Sequence, residues 1–250
     1  MIITVTNQKG GAGKTTTAAA LAAGLTLKGY KTLSIDLDAQ GNLTYTAGAK
    51  TDGATALGVL TGEVKAANAI QRTASGDIIA ANKALAGADA FIVDTGKEYR
   101  LKEALDGIQS QYDYIIVDTP PALGILTINA LTACNSVIIP AQADIYSLQG
   151  IEQLAETMKP VKKYCNPALS IEGILLTRYN PRSVLSREIA ELAEQLAAKL
   201  GTKLFKTTIR EAIAVKEAQI SQQTLFSYAP NAKVTEDYMS FIQELIGEEK

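Results

Sequence analysis

The chain has no histidine and no tryptophan among its 250 residues, and only two cysteines. Without histidine there is no Ser-His-Asp triad, no histidine general base and no histidine zinc ligand. Cys134 and Cys165 lack metal-type spacing, which fits a reducing compartment and a cytoplasmic protein. No apolar run approaches the roughly 20 residues of a membrane span, and no charged-then-apolar leader is visible. Aromatic residues are scarce at 6%, yet hydrophobic residues reach 47%, enough for one substantial core at this length. The net charge of −2 excludes a polycation that coats nucleic acid or membrane with its whole surface. The distribution is uneven: residues 159–210 carry net +6 and the remainder −8. On charge alone the basic stretch reads as solvated helix faces rather than a binding patch.

What is present begins almost at once. Met1 to Val5 alternates like a buried strand, and the alanine-rich stretch Ala18 to Leu27 reads as a helix. Between them runs Asn7-Gln8-Lys9-Gly10-Gly11-Ala12-Gly13-Lys14-Thr15-Thr16-Thr17. Strand, glycine-rich turn and helix are the setting of a phosphate-binding loop. Gly10, Gly11 and Gly13, with Ala12 between them, let backbone N–H groups converge on one anion. The helix then directs its positive end at the same point. Lys14 supplies a mobile cation for the terminal phosphates, and the Thr15 hydroxyl is a ligand for Mg²⁺. The common pattern G-x-x-x-x-G-K-[ST] would place glycine at position 8. This chain has Gln8 there and a second lysine, Lys9, beside it.

Further strands are predicted at 31–36, 77–81, 112–118, 136–140 and 169–177, with a last one near Leu204-Phe205. Helices are predicted at 98–109, 125–134, 148–164, 184–200 and 234–246. Residues 43–76 read as helices and loops. The βαβα order implies a single α/β domain over 1–250, a mostly parallel twisted sheet with helices on both faces. Asp118 closes an apolar strand and is placed like the acid that binds Mg²⁺ through water in nucleotide hydrolases. Asp36 and Asp38 lie two apart near another strand end. One of them is expected to support the metal, the other to orient or polarise an attacking water.

These motifs together resemble the ParA-type partition ATPases, the Soj branch of the family that also holds MinD and the nitrogenase iron protein. The shared wording includes Asn7 to Gly11, Asp36-Leu37-Asp38-Ala39-Gln40-Gly41-Asn42, Tyr112 to Pro121, Leu126 to Ala133 and Ile171 to Thr177. It is weakest over residues 45–95. The resemblance implies an ATP- and Mg²⁺-dependent ATPase with ATP sandwiched in a homodimer. Lys9 resembles the signature lysine that reaches the partner's phosphates. Lys14 and Thr15 match the phosphate lysine and metal ligand, and Thr16 lies near the inner phosphates. Asp38 matches the water-activating acid and Asp118 the switch acid. The expected metal set is Thr15, Asp36 and Asp118, and Gly124 falls in the loop that senses the γ-phosphate.

The Soj branch also implies non-specific binding of double-stranded DNA by the ATP dimer and a ParB-like partner that stimulates turnover. Arg182 matches a DNA-contacting arginine, with Lys203, Lys206, Arg210 and Lys216 as further candidates, which gives the basic stretch a use. Many relatives carry Ile-Pro-Arg where this chain has Ile209-Arg210-Glu211. A MinD-like membrane-cycling ATPase is the alternative. It would need a basic amphipathic C-terminal helix, whereas Val234 to Lys250 is net −4, so no membrane partner is expected. An iron–sulfur reductase would need cluster cysteines that Cys134 and Cys165 do not match. A metabolic ligase would not explain the Lys-Gly-Gly and Thr-Pro-Pro wording. With Met1 so close to the loop, no N-terminal helix-turn-helix and no operator binding are expected.

Overall fold

The computed structural model describes residues 1–248; Glu249 and Lys250, which enter the charge of the C-terminal segment, lie outside the described residues. Seven strands form one sheet: β1 (Ile2–Val5), β2 (Thr32–Asp36), β3 (Ile70–Thr73), β4 (Gly76–Ile79), β5 (Tyr114–Asp118), β6 (Ser136–Gln142) and β7 (Ser170–Thr177). Their order is β3-β4-β2-β5-β1-β6-β7, parallel throughout except for the β3–β4 pair. The helices are α1 (Lys14–Leu27), α2 (Asn42–Thr46), α3 (Ala56–Thr61), α4 (Ala66–Ala69), α5 (Ala88–Phe91) and α6 (Arg100–Asp106). They continue with α7 (Ile125–Ala133), α8 (Ile145–Tyr164), α9 (Val184–Lys199), α10 (Ile213–Ile220), α11 (Leu225–Tyr228) and α12 (Lys233–Ile246).

Period-two alternation sorts the strand residues onto two faces. Leu33, Ile35, Ile115, Val117, Val137 and Ile139 point to one face, where α3, α6, α7, α8 and α9 bury their apolar sides. Ile3, Val5, Ile116, Ile138 and Leu175 point to the other, against α1, α10, α11 and α12. A strand buried on both faces has no polar side to show, which is why β5 and β6 read as nearly unbroken apolar runs. On the second face α1 lies close to α12: a Cβ at Gly24 would meet Ile242 Cδ1 at 2.2 Å. Tyr238, Phe241 and Ile242 are buried there, and Phe241 meets Phe205 edge to face at 4.9 Å.

Chain order reverses around β1, with β5 and β2 on one side and β6 and β7 on the other. That reversal opens a crevice at the carboxyl ends of the strands, the place where such sheets bind ligands. Two expectations need correction. Leu204 and Ile209 form only isolated bridges to Ile174 and Thr177, because Phe205 turns into the core between them and no continuous ladder develops. Within 43–76 the structure adds a strand, β3, paired antiparallel to β4 at the edge of the sheet. Helix α10 was also not expected; only Ala218 of it is buried, so it carries little periodic signal.

Phe241→Ala is expected to destabilise the fold by about 3–5 kcal/mol through the lost contact and the cavity it leaves, measurable by urea denaturation.

Candidate active site

β1 delivers the chain into the loop and α1 takes it out at Lys14, so the loop sits at the switch point. Its shape is set by tethers from neighbouring strands. Gln142, at the end of β6, donates from Nε2 to the Gly11 carbonyl at 2.6 Å. Thr177, at the end of β7, donates from Oγ1 to the Ala12 carbonyl at 2.9 Å. Lys14 Nζ donates to the Lys9 carbonyl at 3.1 Å. The backbone N–H groups of Gly10, Gly11, Gly13 and Lys14 meet no protein acceptor among the described residues. Carbonyls tied outward and amides left free make an anion cradle. Gly13 adopts φ 90°, and a Cβ there would press on Thr177 Cγ2 at 3.3 Å, so the position needs glycine on both counts.

Two acids stand beside the cradle. Asp36 and Asp118 are paired in register across β2 and β5, and both are fully buried. Asp36 is occupied by protein donors: the Asp38 N–H at 3.0 Å, and the Thr44 N–H and hydroxyl, each at 2.8 Å. Burial still pushes its pKa up to about 6. Asp118 has neither carboxylate oxygen hydrogen-bonded. Burial, and then the charge of Asp36, raise its pKa well above the usual carboxylate range; nearby Thr15 and the Lys14 charge pull the other way. Lys14 is itself lowered by burial, against the charges of Asp118 and Asp38.

An orphaned carboxylate next to a threonine hydroxyl and a phosphate cradle fits a hard divalent cation, which prefers oxygen ligands. No group of three His, Cys, Asp or Glu residues that could hold a metal is found among the described residues. Mg²⁺ takes one or two protein ligands and completes its shell with phosphate and water.

Asp38 is partly exposed and lines the phosphate cavity of about 560 Å³ with Gly10, Gly11, Lys14, Thr15 and Thr16. β2 ends at Asp36, so Asp36 and Asp38 share no strand face; a turn orients Asp38 through its N–H to Asp36 and the Gln40 N–H to its own carboxylate. Gly124 caps α7, and the next N–H, of Ile125, donates to Asp89 at 3.4 Å. Lys9 does not point at the cradle. Its ammonium contacts both Asp144 oxygens at 2.6 Å, and Asp144 also caps α8 by accepting the Ser147 N–H. Burial alone would raise the Asp144 pKa, but the Lys9 hydrogen bond and the Ser147 N–H hold it below its ordinary value.

The five basic candidates do not form one patch. Arg182 is exposed on the β7–α9 loop. Lys203 pairs with Glu172 at 3.4 Å, and it lines a groove with Lys206, Glu244 and Glu248. Arg210 makes a two-pronged contact with Asp237 at 2.6 and 2.7 Å, which raises its pKa. Lys216 lines the phosphate cavity. Gln142, Asp144 and Thr177 were not foreseen; their position at or just beyond strand carboxyl ends is the signal that could have found them.

A glycine loop between β1 and α1, with acids closing neighbouring parallel strands, defines the class: a P-loop nucleotide hydrolase. The sequence model of the AAA domain family matches residues 1–171. The chain is 39% identical to the sporulation initiation inhibitor protein Soj of Bacillus subtilis, across 98% of this chain and 97% of that one. It is 35% identical to the chromosome partitioning protein ParA of Myxococcus xanthus, across 98% and 87%. A structure of cobyrinic acid a,c-diamide synthase from Mycobacterium smegmatis with bound ADP and magnesium is 34% identical, with a TM-score of 0.84 across 98% and 93%. The chain belongs to the ParA/Soj family of partition ATPases. No helix among the described residues is long and apolar enough to cross a membrane.

Asp118→Asn should stabilise the protein in the absence of metal and nucleotide by roughly 1–3 kcal/mol at pH about 7.5, since it removes the cost of burying an ionisable acid whose oxygens have no hydrogen-bond donor. An acid whose pKa is raised by folding keeps its proton in the folded state, so its stabilising contribution is lost as pH rises through the folded value. Wild type and variant should therefore converge in thermal stability near pH about 4 and diverge as pH rises. The same variant should lose Mg²⁺-dependent turnover.

Proposed function

We propose that the chain is a Mg-ATP-dependent ATPase that dimerises around two nucleotides, binds double-stranded DNA non-specifically as that dimer, and drives segregation of chromosome, plasmid or mobile-element DNA. A ParB-like partner stimulates its turnover, and the protein works in the cytoplasm on the nucleoid. The observation that carries this reading is Lys9: a lysine at the mouth of the phosphate cradle, turned away from it and held by Asp144.

The free amides and Lys14 bind the terminal phosphates. Thr15 and Asp118 would hold Mg²⁺, with Asp36 behind them. Mg²⁺ held there would supply positive charge that offsets negative charge developing in the transition state. Asp38, fixed by its turn, orients the attacking water. What a lone chain lacks is a second cation at the outer phosphate. Lys9 of a second copy provides it, so turnover waits on pairing. The Lys9 and Asp144 side chains are 27% and 30% exposed, so the pair stays in contact with water and within reach of a competing phosphate. Ile145 and Tyr146 are exposed beside this lysine, with the Tyr146 ring 5.8 Å from Nζ, and offer apolar area to the second copy.

DNA binding rests on exposed basic residues outside the nucleotide cavity, Arg182 first among them. A membrane-cycling role is disfavoured because α12 has already buried its apolar face against α1 and the segment carries acidic residues, Glu236 exposed among them.

Sedimentation with Mg²⁺ and ATP tests the reading. The sedimentation coefficient should rise to that of a dimer with ATP but not ADP, and the dimer should co-sediment with DNA of unrelated sequence and not with anionic liposomes. Liposome binding would favour the membrane alternative, and nucleotide turnover with neither dimer nor DNA would favour a metabolic synthase. In the same assay Asp38→Ala should accumulate as an ATP-bound dimer with turnover reduced at least tenfold, on the order expected for loss of a positioned acid–base group. Arg182→Glu should weaken DNA retention while leaving the ATP dimer intact, and the loss should shrink as salt is raised.

A further inference from the structure

Arg178 follows the last residue of β7 and adopts φ 50°, a left-handed conformation that side-chain-bearing residues seldom take without an imposed constraint. The constraint is visible on both sides. Thr177 is pinned by its hydroxyl to the Ala12 and Ala141 carbonyls at 2.9 and 3.3 Å. The Tyr179 N–H is pinned to the Ile209 carbonyl at 2.9 Å. Arg178 absorbs the bend between two fixed neighbours.

Its side chain is exposed and makes no ion pair or hydrogen bond among the described residues. It lines two adjoining cavities. One is the phosphate cavity of about 560 Å³; the other, of about 140 Å³, has an apolar wall of Ile209, Ala212, Val215 and Tyr238 and a polar rim that includes Arg210 and Glu211. The two share Gly13, Thr16, Arg178, Lys216 and Gln219. Phosphates seated on the loop amides leave the apolar second cavity for the nucleoside. The boundary between the cavities is then where the phosphate nearest the sugar must lie. A guanidinium is suited to such a position, because it stays charged and offers donors in a planar fork. The neighbouring Arg210 cannot serve, since Asp237 holds it.

We propose that Arg178 is a nucleotide-binding residue whose guanidinium engages the sugar-proximal phosphate of a bound nucleoside di- or triphosphate, with the strained backbone fixing its direction. This rests on the nucleotide reading of the site. It predicts that ADP and ATP depend on Arg178 equally, unlike groups that meet only the terminal phosphate.

The test is titration of the full chain with ADP-Mg²⁺ and with ATP-Mg²⁺ by calorimetry, together with nucleotide-free thermal melts. Arg178→Asn and Arg178→Gly, both of which tolerate left-handed backbone, should weaken both nucleotides by about tenfold or more, as expected for a lost charge-assisted hydrogen bond. Arg178→Gly should melt no lower than wild type, since glycine relieves the strain while removing the cation. Arg178→Lys should recover part of the affinity. Wild-type affinity in the Asn and Gly variants would overturn the assignment, as would affinity loss that tracks a fall in melting temperature. If the wild-type chain binds neither nucleotide, the reading of the whole site fails with it.

Discussion

The conformation of residues 9–13 depends on where their carbonyl groups go. A tight turn of this kind can offer amides to an anion only if its own carbonyls find donors elsewhere. Those donors come from the ends of β6 and β7, through Gln142 and Thr177, and from Lys14 at the first position of α1. The loop is therefore a product of the sheet, and three strands must be in register before it takes its shape. Burial of β1 and β6 on both faces supplies that register, and the close approach of α1 to α12 fixes the helix that the loop enters.

The same strand ends also hold the loop's charges apart. Asp144 lies two residues beyond β6 and serves two groups at once, the first turn of α8 and the Lys9 ammonium. Asp36 and Asp118 end β2 and β5 on the other side of β1. A cation is thus stored on one flank of the crevice and acidic groups on the other, with the phosphate cavity between. The arrangement suits a polyanion with a metal ion in the middle.

Much of this was legible from residue order. The loop, β5 with its terminal Asp118, and the amphipathic α8 and α9 announce themselves locally, through glycine spacing, unbroken apolar runs and helical period. β3 did not, because Ile70-Gln71-Arg72-Thr73 is an edge strand with only four residues and no fully buried face. α10 did not, because Ile213 and Ile220 are both exposed and leave the period unreadable. The tethers joining Gln142 to Gly11 and Thr177 to Ala12 span 131 and 165 residues, a separation no local pattern encodes. Lys216 shows the limit most directly. The family resemblance suggested it as a DNA contact, and only the placement of α10 over the crevice puts it on the wall of the cavity beside the loop.

The unpartnered carboxylate of Asp118 has a consequence for energetics beyond the fold. Burial and the charge of Asp36 raise the pKa of this acid, so a proton and a cation compete for the same two oxygens. Occupation of this crevice by a cation is therefore linked to the acidity of the medium. A more acidic medium favours the empty site over the metal-loaded one.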